Sequence, residues 1–243
     1  MRVPRIFVSI DIQKDDCINL EEAESHYVKA VLRLKIKNEI ILFNGTDYEY
    51  HGYIQEIQKK SVLISIKTQI KKNTDSPIKT RLLIAISRSN RFDMIIQKAT
   101  ELGISSITPI ETDYSDIKIK KINLSHKLNH WQKIIINACQ QSGRNCLPTI
   151  EQIQSFSNAI TADSSGKKII LTPGCNKTLK SIGSVKKEIS IASGPEGGFS
   201  EREMTLAKNT GFDAISLGPR ILRTETAPLA ALSIIQSKWG DLT

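Results

Sequence analysis

The chain has 243 residues, 40% apolar and 24% charged, the balance of a soluble globular protein long enough for one large domain or two small ones. Its net charge of +9 and isoelectric point near 9.3 favour a polyanionic partner, nucleic acid before membrane. No apolar run approaches the ~20 residues that span a bilayer, and Met1-Arg2-Val3-Pro4-Arg5 lacks the apolar stretch of a signal peptide, so a cytoplasmic protein is expected. Cys17, Cys139, Cys146 and Cys175 form no C-x-x-C and share no zinc-ligand spacing with the histidines, which reads as reduced structural thiols. Positive charge concentrates in the middle. Residues 81–150 carry ten Lys and Arg against five Asp and Glu.

Taken in chain order, Arg5 to Ile10 reads as a strand. Asn19-Leu20-Glu21-Glu22 has the form of a capping box and predicts a helix to about Leu32, with Leu20, Ala23, Tyr27, Ala30 and Val31 near helical period. Strands are predicted over Glu39 to Phe43, Glu49 to Ile57 and Val62 to Ile70, with tight turns at Asn44-Gly45 and Lys59-Lys60. Strands of this length with one helix suggest a small β-barrel over residues 1–72. The polar stretch around Pro77 predicts a linker, residues 73–80, before a second domain over 81–243.

The second domain alternates strand and helix. Arg81 to Ser87 predicts a strand, Phe92 to Leu102 a helix closed by Gly103, and Ile104 to Ile110 a strand. Leu124 to Gln141 predicts a long helix with Leu128, Trp131, Ile135 and Ala138 on one stripe. Thr149 to Ile153 predicts an edge strand, Phe156 to Ala162 a helix, and Lys168 to Leu171 a strand ending at Thr172-Pro173-Gly174. Two apolar runs follow, Ile189 to Ala192 and Ala214 to Leu217. Each ends in a glycine-bearing turn that leads into a helix. Ser200 with Glu203 forms a second capping-box pattern, Thr224 or Thr226 could cap the last helix, and Ala227 to Trp239 turns Leu229, Leu232 and Ile235 inward. Repeated strand–turn–helix units imply an α/β fold with a parallel sheet, whose ligands sit beyond the carboxyl ends of the strands.

The turns carry the chemistry. Ser193-Gly194-Pro195-Glu196-Gly197-Gly198-Phe199 and Leu217-Gly218-Pro219-Arg220-Ile221-Leu222-Arg223-Thr224-Glu225-Thr226-Ala227 crowd charged residues onto strand-end loops, where glycines let backbone groups approach a ligand. Neither is a Walker loop or a dinucleotide fingerprint, and no Gly-x-Ser-x-Gly elbow is present. Ser87-Arg88-Ser89-Asn90-Arg91 suits phosphate contacts or a solvated loop equally, and in Gln140-Gln141-Ser142-Gly143-Arg144 the glycine is also a plain helix stop. His126 and His130 are four apart, but no third ligand completes a metal site, so no metal is expected.

The two turn motifs resemble the signatures of the bacterial 16S ribosomal RNA uracil-N3 methyltransferases of the SPOUT superfamily. Gln97-Lys98-Ala99-Thr100-Glu101-Leu102-Gly103, Gln141-Ser142-Gly143-Arg144 and His26-Tyr27-Val28-Lys29-Ala30-Val31-Leu32-Arg33 are similar to that family's other blocks, so the resemblance spans the chain. It implies a PUA-like barrel followed by a SPOUT α/β domain with a trefoil knot, a rare exception to the rule against knots. It implies S-adenosylmethionine as cofactor, a homodimer, and 16S ribosomal RNA or the assembled small subunit as substrate.

On that resemblance the expected cofactor residues are Leu171, Thr172, Pro173, Gly174, Ser193, Gly194, Pro195, Glu196, Gly197, Gly198, Leu217, Gly218, Ile221, Leu222, Thr224 and Ala227. Methylation at uracil N3 removes a proton there and spreads charge to O2 and O4, which a guanidinium would stabilise; Arg223 or Arg220 is the candidate. Glu196 or Glu225 is a candidate proton acceptor, or each is structural and paired with an arginine. Arg2, Arg5, Arg33, Arg88, Arg91 and Arg144 are candidate RNA contacts. Two rivals stay open: another RNA target such as a ribose 2′-hydroxyl, and a non-catalytic RNA-binding protein.

Overall fold

The computed structural model describes residues 3–87, 89–115, 123–164, 166–185 and 187–242, so Arg2 and Arg88 lie outside the described residues. The chain forms two units, Met1–Asp75 with Cys139–Leu147, and Ser76–Ala138 with Pro148–Thr243.

In the first unit, β1 (Arg5–Phe7), β2 (Cys17–Leu20), β3 (Glu39–Phe43), β4 (Tyr48–Ile57) and β5 (Val62–Lys71) form a sheet in the order β1-β3-β4-β5-β2. β1 is parallel to β3 and the other pairs are antiparallel. Alternate residues face one core, including Ile6, Ile18, Leu20, Ile40, Leu42, Ile54, Ile64 and Ile66. Asn19 is not a helix cap. It lies in β2 opposite Leu63, in a strand that buries Ile18 and Leu20 and exposes its other two residues. That two-residue alternation overrides the capping pattern. The helix α1 (Glu22–His26) starts later, without a side-chain cap, and continues as a π-helical turn over Tyr27–Val31.

In the second unit, β6 (Lys79–Ala85), β7 (Ser106–Glu111), β8 (Thr149–Ile150), β9 (Gln154–Ser155), β10 (Lys167–Leu171), β11 (Glu188–Ser193) and β12 (Asp213–Ile215) form a wholly parallel sheet. The order is β12-β10-β11-β6-β7-β8, with β9 also on β7. Leu82 to Ala85 and Ile189 to Ala192 are apolar or small and buried, as strands covered on both faces must be. The helices are α2 (Ser89–Glu101), α3 (Leu124–Ser142), α4 (Phe156–Ala162), α5 (Glu201–Asn209) and α6 (Thr226–Trp239). Phe156, Ile160, Ala207 and Phe212 pack on Leu83, Ala85, Ile110 and Ala192. Phe92 of α2 meets Trp131 of α3 at 4.7 Å between ring centres, and α6 packs on β11 and α2. Among the described residues, no helix is long and apolar enough to cross a membrane.

Candidate functional site

The strands β12, β10 and β11 are neighbours, so the loops at their carboxyl ends converge. They border a cavity of about 320 Å³, at the small end of the range for ligand sites. It is lined by Leu171 to Pro173, by Ser193 to Glu196 with Gly198 and Phe199, and by Ile215 to Gly218, Arg220 to Thr224 and Ala227. Every residue expected to hold a cofactor lies in this lining except Gly174 and Gly197. Phe199, Ile215 and Ser216 were not expected and line it too.

Local chemistry holds each loop. Thr172 N donates to Ile215 O at 2.9 Å and Ser216 N to Lys177 O at 2.8 Å, which ties the β10 loop to the β12 loop. Lys167 and Lys177 each approach Asp213 at 2.7 Å; their hydrogen bonds, Lys167 first, hold the carboxyl below its ordinary pKa. After β11, the Ser200 capping box is formed, with Ser200 Oγ accepting from Glu203 N and the Glu203 carboxylate accepting from Ser200 N. A Cβ on Gly194 would stand 3.1 Å from the Phe199 ring, so glycine admits that close packing. Gly218 has φ +117°, a conformation that L side chains rarely adopt, and its N–H and C=O both bond the Ser216 hydroxyl.

Arg220 and Arg223 are exposed, line the cavity, and form no ion pair among the described residues. The Arg223 carbonyl accepts from Thr226 N at 2.9 Å and Ala227 N at 3.0 Å, which anchors its backbone to the start of α6. Glu196 pairs with Arg91 across the rim. Glu225 is outside the lining and accepts from the Thr224 hydroxyl at 3.3 Å. The expected cap of α6 by Thr224 or Thr226 is not made. Glu225 takes the cap position with helical φ and ψ, so the chain already turns as helix there and leaves no side-chain cap.

Two expected RNA contacts are corrected. Arg5 is 6% exposed and donates to Glu49 Oε2 at 2.6 Å, Asn145 Oδ1 at 2.6 Å and Arg144 O at 3.1 Å. Arg144 is also 6% exposed and meets Asp75 at 3.1 Å. Both guanidiniums are buried and taken up by partners within the first unit, which does not fit a surface phosphate contact. Arg33 is exposed and leaves the π-helical turn with φ +53°, and Arg91 is half-buried in its pair with Glu196. Burial pushes the Cys139 thiol up to about 11; burial and then the Asp75 charge push Cys146 up to about 12. A raised thiol pKa disfavours the thiolate that acts as nucleophile. His130 bonds Asp93 at 2.8 Å.

A family model described as an RNA methyltransferase domain matches residues 74–236, and one described as an RNA methyltransferase PUA domain matches 20–67. The ribosomal RNA small subunit methyltransferase E of Buchnera aphidicola from Acyrthosiphon pisum is 37% identical over 99% of this chain and 95% of its own. The chain belongs to the ribosomal RNA small subunit methyltransferase E family. A solved structure of the family from Neisseria gonorrhoeae, bound to S-adenosyl methionine, is 32% identical with a TM-score of 0.93, and all of each chain is covered. A Legionella pneumophila methyltransferase in complex with the cofactor SAM is 37% identical with a TM-score of 0.96, again over all of both chains.

The residues present here fit that cofactor. Much of the lining is glycine, proline and apolar side chains from three loops, which leaves backbone N–H and C=O groups to meet an adenine edge. Among the described residues its only carboxylate is Glu196, which pairs with Arg91.

Proposed function

We propose that this protein methylates N3 of a uracil in 16S ribosomal RNA of the small ribosomal subunit. Its family membership makes it an S-adenosylmethionine-dependent rRNA methyltransferase. The observation that carries the finer reading is the convergence of both glycine turns on one cavity, with Arg220 and Arg223 on its exposed side. S-adenosylmethionine supplies an electrophilic methyl group when bound. Arg223, with Arg220 beside it, stabilises the negative charge that builds on uracil O2 and O4 as N3 loses its proton. Glu196 is positioned by Arg91 at the rim and is the nearer of the two candidate proton acceptors, since Glu225 lies outside the lining. The division of labour belongs to the same proposal: residues 1–72 bind RNA, 73–80 link, and 81–243 hold the chemistry. The family-model matches over 20–67 and 74–236 support two functional parts, while β6 already begins at Lys79 and Cys139–Leu147 groups with the first unit. The homodimer and the knot belong to the same proposal, with the family resemblance as their support; Ile221, 87% exposed, is an apolar group that a second subunit could cover.

The test is nucleoside mass mapping of 16S rRNA from small subunits incubated with the protein and S-adenosylmethionine. N3-methyluridine at one position is expected. A ribose-methylated product instead would overturn the reading.

Gly218 offers a separate check on the cofactor loops. The sequence alone suggests that a side chain there would strike the ligand. A Cβ at Gly218 meets no protein atom within 4 Å, and the backbone conformation adds a penalty of its own. Gly218→Val has to leave φ +117° or sustain strain of about 1–3 kcal/mol, and either outcome disturbs Leu217 to Leu222. Calorimetry is expected to show S-adenosylmethionine binding at least about tenfold weaker, corresponding to about 1.4 kcal/mol. Unchanged affinity would remove this turn from the cofactor site.

A further inference from the structure

We infer that Tyr114 is a stacking platform for an unpaired base of the RNA substrate, beside the cofactor cavity. The inference rests on the proposed methyl transfer to RNA and assigns a substrate contact that the turn motifs do not contain.

Tyr114 is 55% exposed, although it sits in a turn that is otherwise firmly held. Thr112 N donates to Ser115 Oγ at 3.0 Å, Ser115 N donates to Thr112 O at 3.2 Å, and the two hydroxyls meet at 2.8 Å. Ser115 is 4% exposed. Asp113 N donates to Glu203 Oε1 at 2.9 Å, and Asp113 Oδ2 accepts from Ser200 Oγ at 2.6 Å. The turn is thus fastened to the capping box that begins α5, the helix entered from the β11 cofactor loop. Its tip carries an aromatic ring that no other tie requires, since the Tyr114 hydroxyl has no partner among the described residues.

The ring lies against Gly197. A Cβ built on that glycine would stand 3.2 Å from Tyr114 Cβ and 3.5 and 3.6 Å from ring atoms Cγ and Cδ2. This explains why Gly197, expected in the cofactor lining, is not there: it faces the tyrosine while Glu196 and Gly198 on either side line the cavity. The Arg91 pair with Glu196 removes a bare carboxylate from the same rim, so a polyanionic strand can approach. A rigid aromatic face has few rotamers to lose on binding. Stacking accepts any base, because every base has a π face.

The test uses the full chain with Tyr114→Ala and Tyr114→Phe, assayed by single-turnover methyl transfer against RNA concentration and by filter binding of a 16S rRNA fragment. Tyr114→Ala is expected to raise the RNA half-saturation about tenfold or more, with cofactor affinity and melting temperature unchanged. Tyr114→Phe should stay within about threefold of wild type, because stacking does not use the hydroxyl. RNA affinity unchanged in Tyr114→Ala would overturn the inference. Equal losses in Ala and Phe would also overturn it in favour of a hydroxyl contact, and a lower melting temperature or changed oligomeric state would overturn it in favour of a structural or subunit contact. If the wild type bound RNA but gave a different product, the proposed reaction would fail, and filter binding would still decide the role of Tyr114.

Discussion

Arg223→Ala is expected to lower the single-turnover rate of methyl transfer by about 10²–10³, the usual effect of removing one preorganised donor from developing negative charge. Three observations select Arg223. It lines the cavity; it makes no ion pair among the described residues; and its carbonyl is fixed by Thr226 and Ala227 at the start of α6. Arg220 lies mid-loop beside the exposed Ile221 and lacks that anchor, so its removal should cost less. A purely structural Arg223 would be paired with Glu196 or Glu225, but Glu196 is held by Arg91 and Glu225 is bonded by Thr224. Cofactor affinity and melting temperature should therefore be unchanged in Arg223→Ala. Arg223→Lys should recover only part of the rate, because a point charge does not reproduce the planar fork. A rate within about threefold of wild type would exclude the catalytic role.

The convergence of the site was legible in sequence because its parts are local. Each of the three strands that border the cavity, β10, β11 and β12, ends in a turn with its own glycine or proline, and the Ser200 box marks a helix start three residues ahead of Glu203. What sequence could not show depends on partners distant along the chain. A short strand containing Arg5 resembles a basic surface until Glu49 and Asn145, 44 and 140 residues away, come beside it. Arg144 likewise depends on Asp75. Asn19 was misread for a different reason. Capping residues and strand residues overlap in type, and only the burial of Ile18 and Leu20 on one side of β2 separates the two. Tyr114 had a faint signal, a tyrosine between Asp113 and Ser115 in a polar turn after an apolar strand. Nothing in those residues points to Gly197, 83 positions further on.

The same buried charges set the second large effect, on stability. Glu49 is 4% exposed and accepts from Arg5 at 2.6 Å, Lys72 at 3.1 Å and His51 at 3.0 Å, while the Arg5 guanidinium lies 4.7 Å from the centre of the Phe43 ring. Glu49→Ala leaves Arg5 buried without a counter-charge. It is expected to destabilise the protein by about 3–5 kcal/mol, the cost of breaking a buried pair from one side. Glu49→Gln keeps an acceptor and should lose less. Thermal and urea unfolding of the full chain measure both. Burial alone would raise the Glu49 pKa, but the hydrogen bonds from His51, Arg5 and Lys72 outweigh it and hold the carboxyl below its ordinary value. A carboxyl depressed in the folded state binds its proton more readily when unfolded. Its contribution is therefore complete above the unfolded value of about 4.3 and is lost as pH falls through the lower folded value. The stability gap between wild type and Glu49→Gln should accordingly shrink below about pH 4. A gap that widened on acidification, or a Glu49→Ala protein as stable as wild type, would show that Arg5 finds its compensation elsewhere.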